Sequence, residues 1–251
     1  MSFLALRFWI ASAVLVAIRP RSLINISKRT LWRGFLLGLL LGGGYILQTL
    51  GLQYTSAALS GFLTGLCVVM TPLFAWPLLG HRSSPSTIVA VLVATAGLGV
   101  LSLHGISFGL GEVLTLGCAV CYALQIVGLG AWSDGEDVYS LALFQLVTVA
   151  VLCTIGTGPH LLTLPHGTLA WFGVLSTAVI ATSIAFVVQA WAQSYISPTR
   201  AAIIFTLEPV FAGIVAWWGG EHLSAAVIAG GILVVAAMLI AELGIRSRAT
   251  F

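Results

Sequence analysis

The chain has 251 residues, of which 59% are hydrophobic and only 7% are charged, and its formal net charge is +3. Soluble domains carry about 25% charged residues, so this chain has too few charges to cover a surface in water. Together with a mean hydropathy of +1.11, the composition excludes a soluble globular domain and indicates a protein surrounded by the hydrocarbon of a membrane.

Apolar segments follow one another along the whole chain, and the longest connection between them is 19–33. One helical crossing of a bilayer needs about 20 mostly apolar residues. The segments lack the period-two alternation of a transmembrane barrel, so the predicted fold class is an all-α membrane protein. The nine predicted transmembrane helices lie at 3–18, 34–53, 57–80, 86–103, 109–131, 138–157, 167–193, 199–218 and 223–243.

Basic residues predict the orientation, because lysine and arginine accumulate on the cytoplasmic side of a membrane protein. If the first segment ends in the cytoplasm, Arg7 is the only basic residue on the opposite side. The residues then predicted on the cytoplasmic side are Arg19, Arg21, Lys28, Arg29, Arg33, Arg82, Arg200, Arg246 and Arg248. This orientation places the C-terminus in the cytoplasm and explains the net charge without a nucleic-acid partner.

Two tracts of the chain resemble each other, YILQTLGLQYTS at 45–56 and FVVQAWAQSYIS at 186–197. Further matches upstream and downstream extend the repeat. The matched positions include Gln48 with Gln189, Pro72 with Pro209, and LALRF (4–8) with LALFQ (141–145). An odd number of crossings separates the matching segments, so one copy is inverted relative to the other. Many secondary transporters have this layout, with the substrate site near the midplane between the repeats.

The tracts LALRF, GYILQTLGLQYTSAALSGFLTGLCVVMTPL and SYISPTRAAIIFTLEPVFAGIVAWWGGE resemble the EamA family of the drug/metabolite transporter superfamily. The resemblance covers essentially the whole chain, and the tract from Tyr195 to Glu221 is its most specific part. It implies a permease of ten helices in a 5+5 inverted repeat, which has both termini in the cytoplasm and moves small metabolites.

The family pattern predicts two domains with unequal helix counts. Residues 1–104 would be the first EamA repeat, with four helices and its first helix missing, and residues 105–251 would be the second repeat, with five. We therefore expect the parent gene to encode one further apolar crossing upstream. An in-frame stop codon upstream, with no apolar segment after it, would contradict this expectation.

Polar side chains within the predicted spans are the candidates for the lining of a substrate cavity. They are Tyr45, Gln48, Thr49, Thr71, Tyr122, Gln125, Gln145, Gln189 and Glu208. Gln48 and Gln189 stand out because they recur in the repeat. Hydrogen bonding between neighbouring helices is the alternative, since such bonds would recur as well.

Glu208 is predicted near the middle of its crossing, where an acidic residue costs about 2.5–3.5 kcal/mol on insertion scales. The repeat places Thr71 at the corresponding position, so only one copy carries an ionisable group there. This asymmetry predicts that Glu208 binds a proton or the amine of a substrate. The alternative is a neutral glutamic acid that is hydrogen-bonded to another helix beside Pro209.

Prolines and glycines predict local features of the helices. Pro72 and Pro209 lie within helices, where each frees a carbonyl one turn earlier; a tolerated kink and a hinge are both open interpretations. Glycines at a spacing of four residues predict close helix packing. They are Gly34, Gly38 and Gly42 in one segment and Gly61 and Gly65 in another.

The sequence predicts neither a cofactor nor a metal site. Cys118 and Cys121 form a C-x-x-C pair within an apolar helix, but no second pair of ligands accompanies them, as a zinc site would require. No histidine lies at the centre of a predicted helix, so neither a metal centre nor a nucleophile–base pair is predicted at membrane depth.

The predicted function is secondary, ATP-independent transport of small metabolites, with export by alternating access and protons as an optional coupling ion. A truncated, non-transporting membrane protein or scaffold is the alternative, and an intramembrane enzyme is a weaker one. The expected partners are a small-molecule substrate and the lipid bilayer, and a homodimer is left open. The predicted location is the plasma (inner) membrane of a bacterium.

Overall fold

The computed structural model describes residues 1–23, 26–55, 57–80, 84–102, 109–158, 164–205, 207–208, 211, 214, 218 and 225–246. Every regular element within these residues is helical. In chain order the elements are α1 (Ser2–Ile18), a 3-10 turn (Pro20–Leu23), α2 (Lys28–Gly51), α3 (Ala57–Gly65), α4 (Cys67–Leu79), α5 (Pro85–Ser102), α6 (Leu110–Trp132), α7 (Val138–Thr157), α8 (Thr168–Ala178), a π segment (Val179–Ile184), α9 (Ala185–Gln193), α10 (Pro198–Phe205) and α11 (Ala225–Arg246).

Four helices are long and apolar enough to cross a membrane, and shorter apolar helices accompany them. The four are Lys28–Gly51, Leu110–Trp132, Val138–Thr157 and Thr168–Gln193, of which the last runs through α8, the π segment and α9. The shorter ones are Ser2–Ile18, Leu63–Leu79, Pro85–Gly97 and Ile228–Ala237. These helices confirm the prediction of an all-α membrane protein, although the predicted crossing at 199–218 is only partly described.

Helix α2 begins earlier than the sequence predicts. The apolar run was expected to start at residue 34, but the helix starts at Lys28. The hydroxyl of Ser27 accepts the backbone N–H of Thr30 at 2.9 Å, which caps the helix start. Arg33 in the same polar turn forms an ion pair with Glu136 at 2.8 Å. These contacts stabilise a polar first turn, which a prediction from apolar residues alone does not include in the helix.

The predicted crossing at 57–80 is interrupted at Leu66, which separates α3 from α4. The N–H of Leu66 bonds to the carbonyl of Leu63 at 3.2 Å, and the N–H of Val69 bonds to that of Leu66 at 2.9 Å. These bonds span three residues, as in a 3-10 turn. The break therefore lies beside Gly65, whose backbone freedom weakens a helix, while Pro72 lies inside α4.

The chain folds into two compact units, which are described separately. Unit 1 contains residues 1–49 and 128–196. Within it α1 packs against α7, α8 and the π segment, and α7 packs against α9. Its core is built from Leu37, Leu129, Leu141, Ala142 and Ala190. Because α1 and α7 carry the matching LALRF and LALFQ tracts, unit 1 brings corresponding helices of the two sequence repeats together.

Three glycines of α2 permit the close approach of α7 within unit 1. A Cβ added at Gly38 would overlap the Cβ of Thr148 and lie 2.7 Å from the carbonyl oxygen of Gln145. Gly34 and Gly42 are similarly close to α7. The predicted packing role is confirmed for these three glycines. It is wrong for Gly61, where an added Cβ would meet no described atom within 4 Å.

Unit 2 contains residues 50–127 and 197–251. Helix α5 packs along α11, α4 packs against α10, and α3 packs against α5. Each of the first two pairs joins a helix of the predicted first repeat (1–104) to a helix of the predicted second repeat (105–251). Each compact unit therefore combines helices from both halves of the sequence.

Candidate functional site

The predicted cavity residues are distributed over both units. In unit 1 the structure places Tyr45, Gln48 and Thr49 on α2, Gln145 on α7 and Gln189 on α9. In unit 2 it places Thr71 on α4, Tyr122 and Gln125 on α6, and Glu208 just after α10. Pro209 lies outside the described residues. The polar groups are therefore considered unit by unit.

The polar contacts of α2 and α9 in unit 1 lie along the matched tracts. Thr49 donates to the carbonyl of Tyr45 at 2.7 Å, a bond one turn back that satisfies a hydroxyl in apolar surroundings. The side-chain amide of Gln189 donates to the side chain of Gln193 at 3.1 Å, so this glutamine is oriented along its own helix. Both bonds join residues of the same helix.

A second group in unit 1 surrounds Arg7, which is half-buried on α1. The guanidinium donates to the hydroxyl of Thr182 at 2.6 Å and to the carbonyl of Ala181 at 3.3 Å. Its Cζ lies 5.8 Å from the ring centroid of Tyr45. Tyr45 and Phe8 in turn meet edge to face at 5.0 Å. A cation, two aromatic rings and a hydroxyl therefore converge at one place.

The π segment presents the groups that hold Arg7. Thr182 donates its hydroxyl proton to the carbonyl of Thr177 at 2.9 Å, and Ser183 donates to that of Ala178 at 2.9 Å, both five residues back. Single π turns inside α-helices occur frequently at functional sites. Here the wider turn places a carbonyl and a hydroxyl side by side, at Ala181 and Thr182.

An ion-pair cluster in unit 1 joins the start of α2 to the turn before α7. Arg33 pairs with Glu136 at 2.8 Å, and Arg29 lies 3.7 Å from the same carboxylate. The hydroxyl of Thr30 also donates to Glu136. The side chain of Glu136 is only 9% exposed, so its charge is balanced by partners that lie more than 100 residues away in sequence.

A cluster of thiols and hydroxyls occupies unit 2. The thiol of Cys118 on α6 is hydrogen-bonded with Thr64 on α3 and Tyr122 on its own helix. The thiol of Cys67 on α4 is also buried. Tyr122, one of the predicted candidates, therefore belongs to a neighbourhood of thiols and hydroxyls. All four cysteines of the chain are free thiols.

Thr71 belongs to the same neighbourhood but is enclosed. It is fully buried, and its hydroxyl donates to the carbonyl of Cys67 at 2.7 Å. Glu208 is exposed, so the two positions that match in the repeat have different surroundings as well as different chemistry. Across the part of the chain that the structure describes, no group of three or more histidine, cysteine or acidic residues can hold a metal ion.

An apolar groove of about 650 Å³ runs between α4 and α5 in unit 2. Among the described residues of its lining, Thr87 carries a hydroxyl and the others are apolar. The lining residues are Val69, Pro72, Leu73, Trp76, Thr87, Ile88, Val91 and Leu92. The thiol cluster and Thr71 are not part of this lining, so the groove is distinct from the predicted polar site.

Arg7 was not among the residues that the sequence selected. Two signals could have identified it. It is the single basic residue on the predicted outer side, and the repeat matches it with the apolar residue Phe144, so the charge occurs in only one copy. An ionisable residue within a transmembrane segment indicates a functional site by default.

Apolar helices with polar groups held inside their bundles define a multi-pass integral membrane protein with groups suited to small-molecule recognition. The chain belongs to the EamA-like transporter family, whose model matches residues 1–103 and 109–242. The family resemblance predicted from the LALRF and LEPVFA tracts is thereby confirmed.

Similar proteins carry transporter names. An uncharacterized transporter of Archaeoglobus fulgidus is 32% identical over 179 residues, which are 71% of this chain and 58% of that protein. The uncharacterized transporter YvbV of Bacillus subtilis is 25% identical over 75% of this chain and 63% of its own length. Purine permease 2 of Arabidopsis thaliana is 30% identical over 47% of this chain and 38% of its own length. These names fit a role other than catalysis.

A solved crystal structure has the same fold. It superimposes with a TM-score of 0.83 at 22% identity, covering 98% of this chain and 88% of that chain. The chain thus spans most of the structural neighbour but only 58% of the length of the Archaeoglobus relative.

Proposed function

We propose that this protein is a secondary transporter that moves small metabolites across a membrane by alternating access. The observation that carries the proposal is the match of a transporter family to two successive stretches, 1–103 and 109–242. A chain with two related halves fits the inverted-repeat transporters, in which a central site is opened to each side in turn. The odd number of crossings that the sequence predicts between the matched tracts supports the inversion.

The substrate is proposed to be a small metabolite with at least one polar group. Two features support this: the polar groups of unit 1 around Arg7, and the exposed carboxylate of Glu208 in unit 2. Because one relative is named a purine permease, purine bases belong in the set of candidates, together with carboxylates and amines.

The test is uptake of labelled metabolites into proteoliposomes that contain the purified 251-residue chain. We expect at least one compound of a panel of purines, carboxylates, amines and amino acids to accumulate faster than in protein-free liposomes. ATP should have no effect. A chain that only packs into the membrane, as a scaffold or inactive fragment, would transport none of them, and that result would contradict the proposal.

Proton coupling is proposed at Glu208. An exposed carboxylate within an apolar span can take up a proton from the aqueous phase. Protonation neutralises the carboxylate, which lowers the cost of moving this side chain through hydrocarbon. We expect Glu208→Gln to abolish the dependence of uptake on an imposed pH gradient. Asp134→Asn is the matched control, because Asp134 lies in an exposed turn. Normal gradient dependence in Glu208→Gln would leave this residue with a structural role only.

Export from the cytoplasm is the proposed direction, and the inner membrane of a bacterium is the proposed location. The distribution of basic residues supports a cytoplasmic C-terminus. A fluorescent protein fused to the C-terminus should therefore be fluorescent, since it folds in the cytoplasm, whereas an alkaline phosphatase fusion at the same point should be inactive. The opposite pair of results would reverse the orientation.

The cycle is proposed for a single chain, and the mass of the purified protein distinguishes a monomer from a homodimer.

A further inference from the structure

Arg7 is held in a defined geometry inside unit 1. Its Nε donates to the hydroxyl oxygen of Thr182 at 2.6 Å, and its Nη2 donates to the carbonyl of Ala181 at 3.3 Å. Thr182 is fully buried and donates its own proton to the carbonyl of Thr177, so its oxygen faces the guanidinium as an acceptor. One edge of the guanidinium is therefore fixed by the π segment.

The opposite edge of the guanidinium has donors left for a ligand. A guanidinium has five N–H donors, and these contacts use one on Nε and one on Nη2. The other donors include one on each Nη atom, side by side, which is the fork that binds a carboxylate through two parallel hydrogen bonds. The ion pairs between described residues involve Arg19, Arg29 and Arg33 but not Arg7.

Aromatic rings form the apolar border of this fork. The Cζ of Arg7 lies 5.5 Å from the ring centroid of Phe8 and 5.8 Å from that of Tyr45. Such rings exclude water, and the attraction between opposite charges is stronger where the surroundings are less polar. The combination of a charged fork and apolar walls suits an organic anion better than a small inorganic one.

The charge also selects the ligand. Arg7 is the only basic residue in α1, and the π segment has none. A single guanidinium matches the single charge of a carboxylate, whereas a phosphate monoester carries about 1.5–2 charges near neutral pH and calls for a second cation. The observations therefore favour a monocarboxylate.

We infer that Arg7 binds the carboxylate group of a small organic substrate. Tyr45 contacts the apolar part of the substrate, and the fully buried Phe8 packs edge to face against Tyr45. Thr182 is a positioning residue that orients the guanidinium. Only the identification of this anion as a transported substrate rests on the proposed function.

The test is an equilibrium binding measurement on the purified 251-residue protein in phosphatidylcholine nanodiscs, which does not depend on transport. Benzoate is the probe, and benzamide is its neutral match in shape. We expect benzoate to bind about tenfold or more tightly than benzamide, because charge-assisted hydrogen bonds are about twice as strong as neutral ones. Arg7→Gln should remove this preference, and Arg7→Lys should restore only part of it, since lysine lacks the planar fork.

Further variants separate recognition from folding. Arg19→Gln is the matched control and should leave benzoate binding unchanged, because Arg19 pairs with Asp137 away from this site. Thr182→Val keeps the shape of the side chain and should weaken benzoate binding several-fold without affecting benzamide. If Arg7→Gln does not fold, Arg7→Lys and Thr182→Val still decide the matter. Equal binding of benzoate and benzamide to the wild-type protein, or unaltered benzoate binding in these folded variants, would overturn the inference.

Two further arms distinguish a carboxylate from phosphate groups. Phenyl phosphate should bind more weakly than benzoate, and nanodiscs of phosphatidylglycerol should leave benzoate binding unaltered. Tighter binding of phenyl phosphate, or loss of benzoate binding in phosphatidylglycerol, would assign Arg7 to a phosphate or to a lipid headgroup. If metabolites are taken up but binding shows no Arg7-dependent preference, this inference is refuted and the transport function stands. If binding depends on Arg7 but no panel compound is taken up, the transport function is refuted and the binding site stands.

Discussion

The two units balance their buried charges in different ways. In unit 1 the carboxylate of Glu136 is neutralised by arginines, chiefly Arg33 at 2.8 Å. In unit 2 the buried carboxylate of Glu112 accepts the hydroxyl of Thr55 and the backbone N–H of Gly109, both at 2.7 Å. All the ion pairs found between described residues belong to unit 1. Among the described residues, the carboxylate of Glu136 is therefore held by ionic contacts and that of Glu112 by neutral donors.

The arrangement at Glu112 follows from its position on α6. It lies three residues after Gly109, which precedes the helix, and its side chain reaches back to the free N–H there, as in a capping box. A carboxylate near a helix start is also favoured by the helix dipole. This local solution needs no cation. Glu136 lies outside any helix, so its charge is balanced only by partners from another part of the chain.

The largest expected effect comes from breaking the ionic cluster of unit 1 with Glu136→Gln. Arg33, whose side chain is only 15% exposed, would lose its counter-charge. Removing one partner of a buried pair costs about 3–5 kcal/mol, and we expect the lower end because solvent still reaches both groups. Unfolding by SDS in mixed micelles measures the free energy. Asp134→Asn, in the same turn but exposed, should cost almost nothing; an equal loss in both variants would remove the distinction between paired and unpaired carboxylates.

Gly38→Ala should have the next largest effect, because it tests packing in unit 1 without altering charge. The new Cβ would overlap that of Thr148 and lie 2.7 Å from the carbonyl oxygen of Gln145, so α2 and α7 must separate. Overpacking of this kind costs about 1–3 kcal/mol. Gly61→Ala in unit 2 is the control, since it meets no described atom and should gain about 0.5–1 kcal/mol from alanine's preference for helices. The same SDS titration compares them, and similar losses would contradict the packing argument.

Glu112→Gln tests the two neutral donors that bind the Glu112 carboxylate in unit 2. It should destabilise the protein less than Gly38→Ala does. Glutamine keeps an oxygen that can accept one of the two donors, so only part of the contact is lost. We expect the melting temperature in detergent to fall modestly and to depend little on ionic strength, since no ion pair is broken. Thr55→Val should give a similar fall. A salt-dependent loss would indicate a cation partner and would remove the contrast between the units.

The smallest effect is expected for Arg19→Gln. The Arg19–Asp137 pair is short, at 3.0 Å, but its side chains are 52% and 40% exposed. Exposed pairs contribute about 0–1 kcal/mol, and salt screens them. Asp137 would still cap α7 through the N–H of Tyr139. A loss as large as that of Glu136→Gln, measured by the same SDS titration, would show that exposure does not rank the ionic contacts of unit 1.

Features that depend on neighbouring residues in the chain could be predicted from the sequence. The apolar run at 138–157 has the limits of α7, and the glycines of α2 were correctly assigned to close packing. Both patterns depend on spacing along one helix.

Features that depend on distant partners could not be predicted. Helix α2 starts at Lys28 with the help of Glu136, and Arg7 is held by Thr182, a residue 175 positions away. No local pattern contains such a pairing. The break at Leu66 was not predicted for a different reason. A glycine such as Gly65 is a weaker signal of a helix break than a proline, and the proline of this segment, Pro72, lies inside α4.

Counterflow most directly tests the central claim that this chain is an alternating-access transporter of small metabolites. Proteoliposomes are preloaded with the unlabelled form of the compound that the uptake panel identifies, and a trace of the labelled form is added outside. A site that opens to one side at a time predicts a transient accumulation of label above its equilibrium level, because unlabelled molecules returning outward leave the site free to carry label in. Entry of label that rises only to equilibrium, or no entry at all, would contradict the claim.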